Sequence, residues 1–126
     1  MSAMRDVLDD DTDCSDLLQL VDGCNGFDCE IYRTLVEAAD DFSVDEIAEA
    51  VDRDRSATYR AVRRLHDYGY LDREQFTYDS GGYCYRYQAV DPETVATTLR
   101  TKIAECHNEF DGLIDDFVET FDTSQG

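Results

Sequence analysis

Four residues in one short stretch have the types and spacing to read a nucleic acid groove: Ser56, Tyr59, Arg60 and Arg63. At about 100° per residue they fall on one side of a helix, while Thr58, Ala61, Val62 and Leu65 follow the i, i+3, i+4, i+7 pattern and point inward. The outward side offers hydroxyl, phenol and guanidinium groups, which suit base edges and phosphates in a major groove. Arg60 and Arg63 are the candidates for base contact, to guanine first, with Ser56 and Tyr59 on base edges or phosphates. Arg53, Arg55 and Arg64 would hold phosphates and fix the register, and Arg86 would reach an adjacent phosphate or the minor groove. For each arginine, phosphate contact ranks first, base readout second, and an internal ion pair with Asp67 or Asp52 third. The bland alternative is a solvated basic face on an ordinary helix pair.

The distribution of charge argues against that alternative. The 126 residues carry 30 acids against 11 lysines and arginines, a formal net charge of −19, and Lys102 is the only lysine. Between Arg53 and Arg86, however, seven arginines face five acids. That segment is +2, so the rest of the chain carries −21. Cations concentrated on one helix and its flanks imply a polyanionic partner, here double-stranded DNA. Acid excess with lysine depletion resembles the proteins of salt-in halophiles, haloarchaea above all. Disordered acidic tails are excluded by the density and periodicity of apolar residues.

Two helices must position those side chains. Ser43 to Val51 forms the first, with Ser43 as N-cap, Glu46 completing a capping box, and Ile47, Ala48 and Val51 on one apolar face. Asp52 to Arg55 forms the turn. The second helix runs to Tyr68, with Ser56 as cap or first-turn residue, and Gly69 supplies the left-handed exit. Ahead of them lie a polar acidic leader (residues 1–13), a short helix over Cys14–Asp22, a Gly23-Cys24-Asn25-Gly26 turn, and a helix over Phe27–Asp40 striped by Phe27, Ile31, Leu35 and Ala39. After them come two strands, Tyr70–Tyr78 and Tyr83–Val90, joined by Asp79-Ser-Gly-Gly82. Tyr83, Tyr85 and Tyr87 share one face, for which packing against the following helix is the commoner role and base stacking the rarer one. Asp91-Pro92-Glu93 opens a last helix, along which Val95, Leu99, Ile103, Cys106, Phe110, Leu113, Phe117 and Phe121 recur every three or four residues. About 30 residues reach about 45 Å, beyond one small domain, so the expectation is a homodimer through this helix.

Helix, helix, helix and β-hairpin is the order of a winged helix-turn-helix: a mainly α fold with a β-hairpin wing over residues 14–90, followed by a long C-terminal dimerisation helix over 91–122. Three stretches now resemble the DNA-binding domain of TrmB-like archaeal transcription regulators. They are the Phe27-to-Leu35 helix with its Ile31-Tyr32, the Ser43-Val-Asp-Glu-Ile-Ala-Glu-Ala50 run, and Arg55-Ser-Ala-Thr-Tyr-Arg-Ala-Val-Arg-Arg-Leu-His-Asp-Tyr-Gly-Tyr-Leu71. The resemblance spans about Leu17 to Val90, and MarR-like and PadR-like families share much of it. Larger TrmB proteins carry a C-terminal sugar-binding domain. Nothing after residue 90 is long enough to be one, so sugar sensing is not carried over. What the resemblance implies is a sequence-specific, DNA-binding transcription regulator, and some short relatives are described as thiol-responsive.

The five cysteines lack the paired spacing of zinc ribbons, and an odd count leaves at least one unpaired within the chain. Cys24, in a glycine-flanked turn before a helix N-terminus, is the redox candidate on exposure and helix dipole, with Asp22 and Asp28 opposing. Cys29, one turn on, is core or resolving partner; Cys84 and Cys106 read as packing. No metal site, cofactor or enzymatic constellation is expected, since there is no phosphate loop, His-x-x-x-His pair or nucleophile elbow. No secretory signal or membrane span is visible, so the expected location is the cytoplasm. The competing classes are a winged-helix protein-interaction module that does not bind DNA, and a metal- or ligand-gated sensor.

Overall fold

The computed structural model describes residues 14–122; the acidic leader read at residues 1–13 lies outside them. A single 3-10 turn at Cys14–Asp16 leads into α1 (Leu17–Asp22), followed by α2 (Gly26–Ala38), α3 (Val44–Val51) and α4 (Arg55–Asp67). An antiparallel hairpin of β1 (Leu71–Thr77) and β2 (Tyr83–Ala89) and the long α5 (Pro92–Phe121) complete the chain. The hairpin register runs from Leu71 opposite Ala89 to Thr77 opposite Tyr83. The fold is a winged helix-turn-helix with a hairpin wing and a long C-terminal helix.

Local chemistry sets most boundaries. At α3, Ser43 Oγ accepts from the Glu46 N–H at 3.2 Å and Glu46 Oε1 accepts from the Ser43 N–H at 2.9 Å, a closed capping box. A second box, unread in the sequence, opens α2: Asn25 Oδ1 accepts from the Asp28 N–H at 2.8 Å, and Asp28 returns to the Asn25 N–H. At α4 the cap is Asp54, whose carboxylate accepts from the Ala57 N–H at 3.1 Å, so Ser56 sits in the first turn. The turn between α3 and α4 begins at Asp52, held at φ +54°, where Asp is tolerated. Gly69, at φ +91°, ends α4: its N–H reaches the His66 carbonyl and the Tyr70 N–H reaches that of Leu65, the paired bonds of a Schellman exit. Asp91 caps α5 through the N–H groups of Glu93 and Thr94.

The core sits where α2, α3 and α4 meet the base of the hairpin and the first turns of α5. Ile31, Leu35, Ile47, Val62 and Leu65 are buried, with Tyr70, Leu71, Tyr87, Val95 and Leu99 closing the edges. Tyr87 exchanges backbone hydrogen bonds with Phe42 at 2.8 and 2.7 Å, and its ring meets His66 edge-on. The tyrosine face of β2 thus grades from buried Tyr87 to exposed Tyr83, whose ring meets Tyr85.

Beyond Leu99, α5 leaves the domain. Lys102 anchors it among the described residues, donating to the Asp22 carboxylate and, at 2.9 Å, to the Tyr68 carbonyl, while Tyr70 donates its hydroxyl to the same Asp22. Ile103, Phe110, Leu113, Phe117 and Phe121 are then between 48% and 66% exposed. Cys106 is exposed among them rather than packed.

Candidate nucleic-acid interface

The helix α4 separates two faces. Thr58, Ala61, Val62 and Leu65 are all buried, and Ser56, Tyr59, Arg60 and Arg63 are exposed on the other side. Arg63 Nη1 leans toward the Tyr59 hydroxyl at 3.5 Å, one helical turn away. Arg60 is exposed and has no carboxylate partner among the described residues. Arg53, just before the helix, lies 4.8 Å over the Phe27 ring and stays exposed. Arg55, in the first turn, pairs with Asp45 on α3 through Nε–Oδ1 at 2.6 Å, both side chains well exposed.

Two of the arginines expected at phosphates are paired with carboxylates of the domain itself. Arg64 turns inward and grips Asp28 with two bonds, Nη2–Oδ1 at 2.8 Å and Nε–Oδ2 at 3.1 Å. Asp28 is buried, so this pair ties α4 to the start of α2, and the carboxylate raises the pKa of the guanidinium further. Arg86 on β2 is held by Asp41 at 3.0 Å, by the Asp41 carbonyl at 3.1 Å and by Glu46 at 2.8 Å. Three acceptors from the α2–α3 connection and α3 fasten the wing to the domain. The backbone bond to Ser43 and the Arg86 charge keep the Glu46 carboxyl below its ordinary value. The partners are therefore Asp28, Asp41, Glu46 and Asp45, not Asp67 or Asp52. Of these, Asp28 and Glu46 carry a local signal as the third residues of capping boxes, but neither signal names its arginine: Arg64 lies 36 positions from Asp28.

Cys24 also departs from expectation. Gly23, at φ +73°, turns the chain so that the Cys24 N–H bonds the Leu18 carbonyl at 3.3 Å, and the side chain is 1% exposed. Burial first, then the nearby Asp28, pushes its thiol up to about 12, the opposite of a reactive thiolate. Burial also raises the half-buried Cys29 thiol. Cys14 and Cys106 are the exposed thiols. Among the described residues no three His, Cys, Asp or Glu side chains are grouped to hold a metal, and no helix is long and apolar enough to cross a membrane.

The family model described as "Sugar-specific transcriptional regulator TrmB" matches residues 18–93, from α1 to the first turn of α5. The chain belongs to the TrmB family. An uncharacterized protein of Methanocaldococcus jannaschii is 38% identical over 84 residues, covering 67% of this chain and 68% of that one. Among solved structures, a "possible transcriptional regulator" of Methanosarcina mazei Go1 superposes with a TM-score of 0.70 at 19% identity, over 80% of this chain and 85% of that one. TrmBL2, described as an archaeal chromatin protein with a novel mode of DNA binding, gives a TM-score of 0.57 at 20% identity. That match takes in 84% of this chain but 38% of the longer TrmBL2 chain. Both structural likenesses concern the fold. The family match covers the helices that present Ser56, Tyr59, Arg60 and Arg63 and stops where α5 begins.

Proposed function

We propose that this TrmB-family protein is a sequence-specific, double-stranded-DNA-binding transcription regulator of a halophilic archaeon, acting in the cytoplasm as a homodimer. The observation that carries the reading is the outward face of α4: Arg60 and Arg63 stand exposed beside Ser56 and Tyr59, with no carboxylate partner among the described residues, in a chain whose net charge is −19. In the major groove Arg60 and Arg63 contact base edges, Ser56 and Tyr59 contact bases or phosphates, and Arg53 and Arg55 contact phosphates. Arg64 and Arg86 act from behind, holding α4 and the wing in place.

The exposed apolar stripe of α5 supports pairing with a second copy, since an unpartnered patch of this kind marks an association surface. A two-fold dimer presents two α4 helices to half-sites about one helical turn, about 34–36 Å, apart. A response to oxidants begins at the exposed Cys14 and Cys106, while Cys24 is buried and its thiol is held protonated.

The test is selection of bound sequences from randomised duplexes by the intact protein at molar KCl. An enriched sequence with two related half-sites is expected. Arg60→Ala should then cost about 1–3 kcal/mol and relax one base position, whereas Arg53→Ala should weaken all duplexes alike. Absence of enrichment, with no duplex retained at any salt, leaves the protein-interaction module as the better reading.

A further inference from the structure

We infer that Asp45 is a built-in competitor for DNA phosphate: it occupies Arg55 in the free protein, gives it up on binding, and thereby sets how steeply binding depends on salt. The inference rests on the DNA-binding reading above and adds a residue that reading does not assign.

Arg55 and Asp45 meet at the mouth of an open cleft of about 480 Å³ between α3, the start of α4 and the wing. Tyr59, Tyr83, Glu46 and Arg86 line the same cleft. With α4 in a major groove, the backbone of one strand passes over this mouth, because the cleft separates the reading helix from the wing. The two arginines there are not equivalent. Arg86 has three acceptors and is 28% exposed, so it is fixed. Arg55 has one carboxylate, and the two side chains are 65% and 73% exposed. An ion pair this wet contributes little in water. It also leaves the rest of the guanidinium fork open to a phosphate. Arg55 is therefore the movable cation of the cleft and Asp45 its resident anion.

Exchange changes the ion count. A phosphate neutralised by an arginine ordinarily releases about 0.9 of a condensed cation. When Arg55 leaves Asp45 for a phosphate, a bare carboxylate remains beside the DNA and draws a cation of its own. Release at the phosphate and uptake at Asp45 then nearly cancel, and the Arg55 contact becomes almost indifferent to salt. That property suits a protein working where counterion release has little driving force.

The experiment measures affinity for one selected duplex by fluorescence anisotropy across a KCl titration into the molar range. It compares intact wild type, Asp45→Asn, Asp45→Ser, Arg55→Ala and the Asp45→Asn/Arg55→Ala pair. Both Asp45 variants should bind roughly 1.5- to fivefold tighter at the low-salt end. Their plot of log K against log salt should be steeper by about 0.9. In the Arg55→Ala background the Asp45→Asn substitution should leave the slope unchanged. Unfolding midpoints by circular dichroism show that the variants are folded, and Asp45→Ser serves if Asn at this first-turn position weakens α3. Weaker binding by both Asp45 variants, or an unchanged slope, overturns the inference and makes Asp45 a support for Arg55. A wild type that retains no duplex at any salt overturns the DNA reading itself, and the two failures are thereby distinguished.

Discussion

Arg64 carries the sharpest prediction, because its sequence context and its structural position assign it different roles. In Arg64→Ala the two bonds to Asp28, at 2.8 and 3.1 Å, disappear and a carboxylate 1% exposed loses its only opposite charge among the described residues. Removing one partner of a fully buried pair costs about 3–5 kcal/mol. The Arg64 side chain is 42% exposed, so water enters part of the space it leaves and the expected cost falls to about 2–3 kcal/mol. Each kcal/mol moves the midpoint of a domain this size by about 3–5 °C, so the variant should melt roughly 6–15 °C below wild type. Salt screens exposed charges far better than buried ones. The deficit should therefore persist at molar KCl, while Arg55→Ala, which breaks an exposed pair, should melt within about 1 °C of wild type. Thermal unfolding by circular dichroism at two salt concentrations reads both. The double variant Arg64→Ala/Asp28→Asn should recover about 1–3 kcal/mol of the loss, since neutral Asn keeps the cap and removes the stranded charge. The reasoning is refuted if Arg64→Ala melts with wild type and loses DNA affinity alone, as Arg60→Ala is expected to do.

Three further outcomes follow. Ala39, exposed at the end of α2, is held at φ +52°, so Ala39→Gly should raise stability by about 0.5–1 kcal/mol after the greater chain entropy of glycine is counted, measurable by urea unfolding. The buried Cys24 thiol ionises near 12 in the folded protein and near 9 when unfolded, so its contribution is fully present below pH 9 and is lost as pH rises toward 12; Cys24→Ala should flatten that part of the alkaline stability profile, and iodoacetamide at pH 8 should label Cys14 and Cys106 while sparing Cys24. Phe117→Glu, placed in the exposed stripe of α5, should leave the fold of the winged helix intact and shift the particle from dimer to monomer by light scattering; a wild type already monomeric at the same concentration removes the pairing argument.

Much of the fold was legible because its signals are local. A capping box is written within four residues, the helix stripes within eleven, and a Schellman exit in one glycine; Ser43, Asp91 and Gly69 act where the sequence puts them. The inward and outward faces of α4 follow from periodicity alone, so Arg60 and Arg63 could be separated from Val62 and Leu65 without coordinates. At Cys24 the same local logic fails: a glycine turn ordinarily faces water, but here it folds against Leu18 and the core.

What the sequence determined by itself is the set of elements, their order, and which side of α4 faces outward, since each depends on neighbours three or four positions away. What only the tertiary structure decided is which arginines remain available. Arg64 meets Asp28 across 36 positions, Arg86 meets Asp41 across 45, and Lys102 meets Asp22 across 80. In a chain with 30 acids, every arginine has many candidate partners along the sequence. The crossing of α2 over α4 and the docking of α5 select among them, because a charge pair forms between groups that packing brings within about 3 Å.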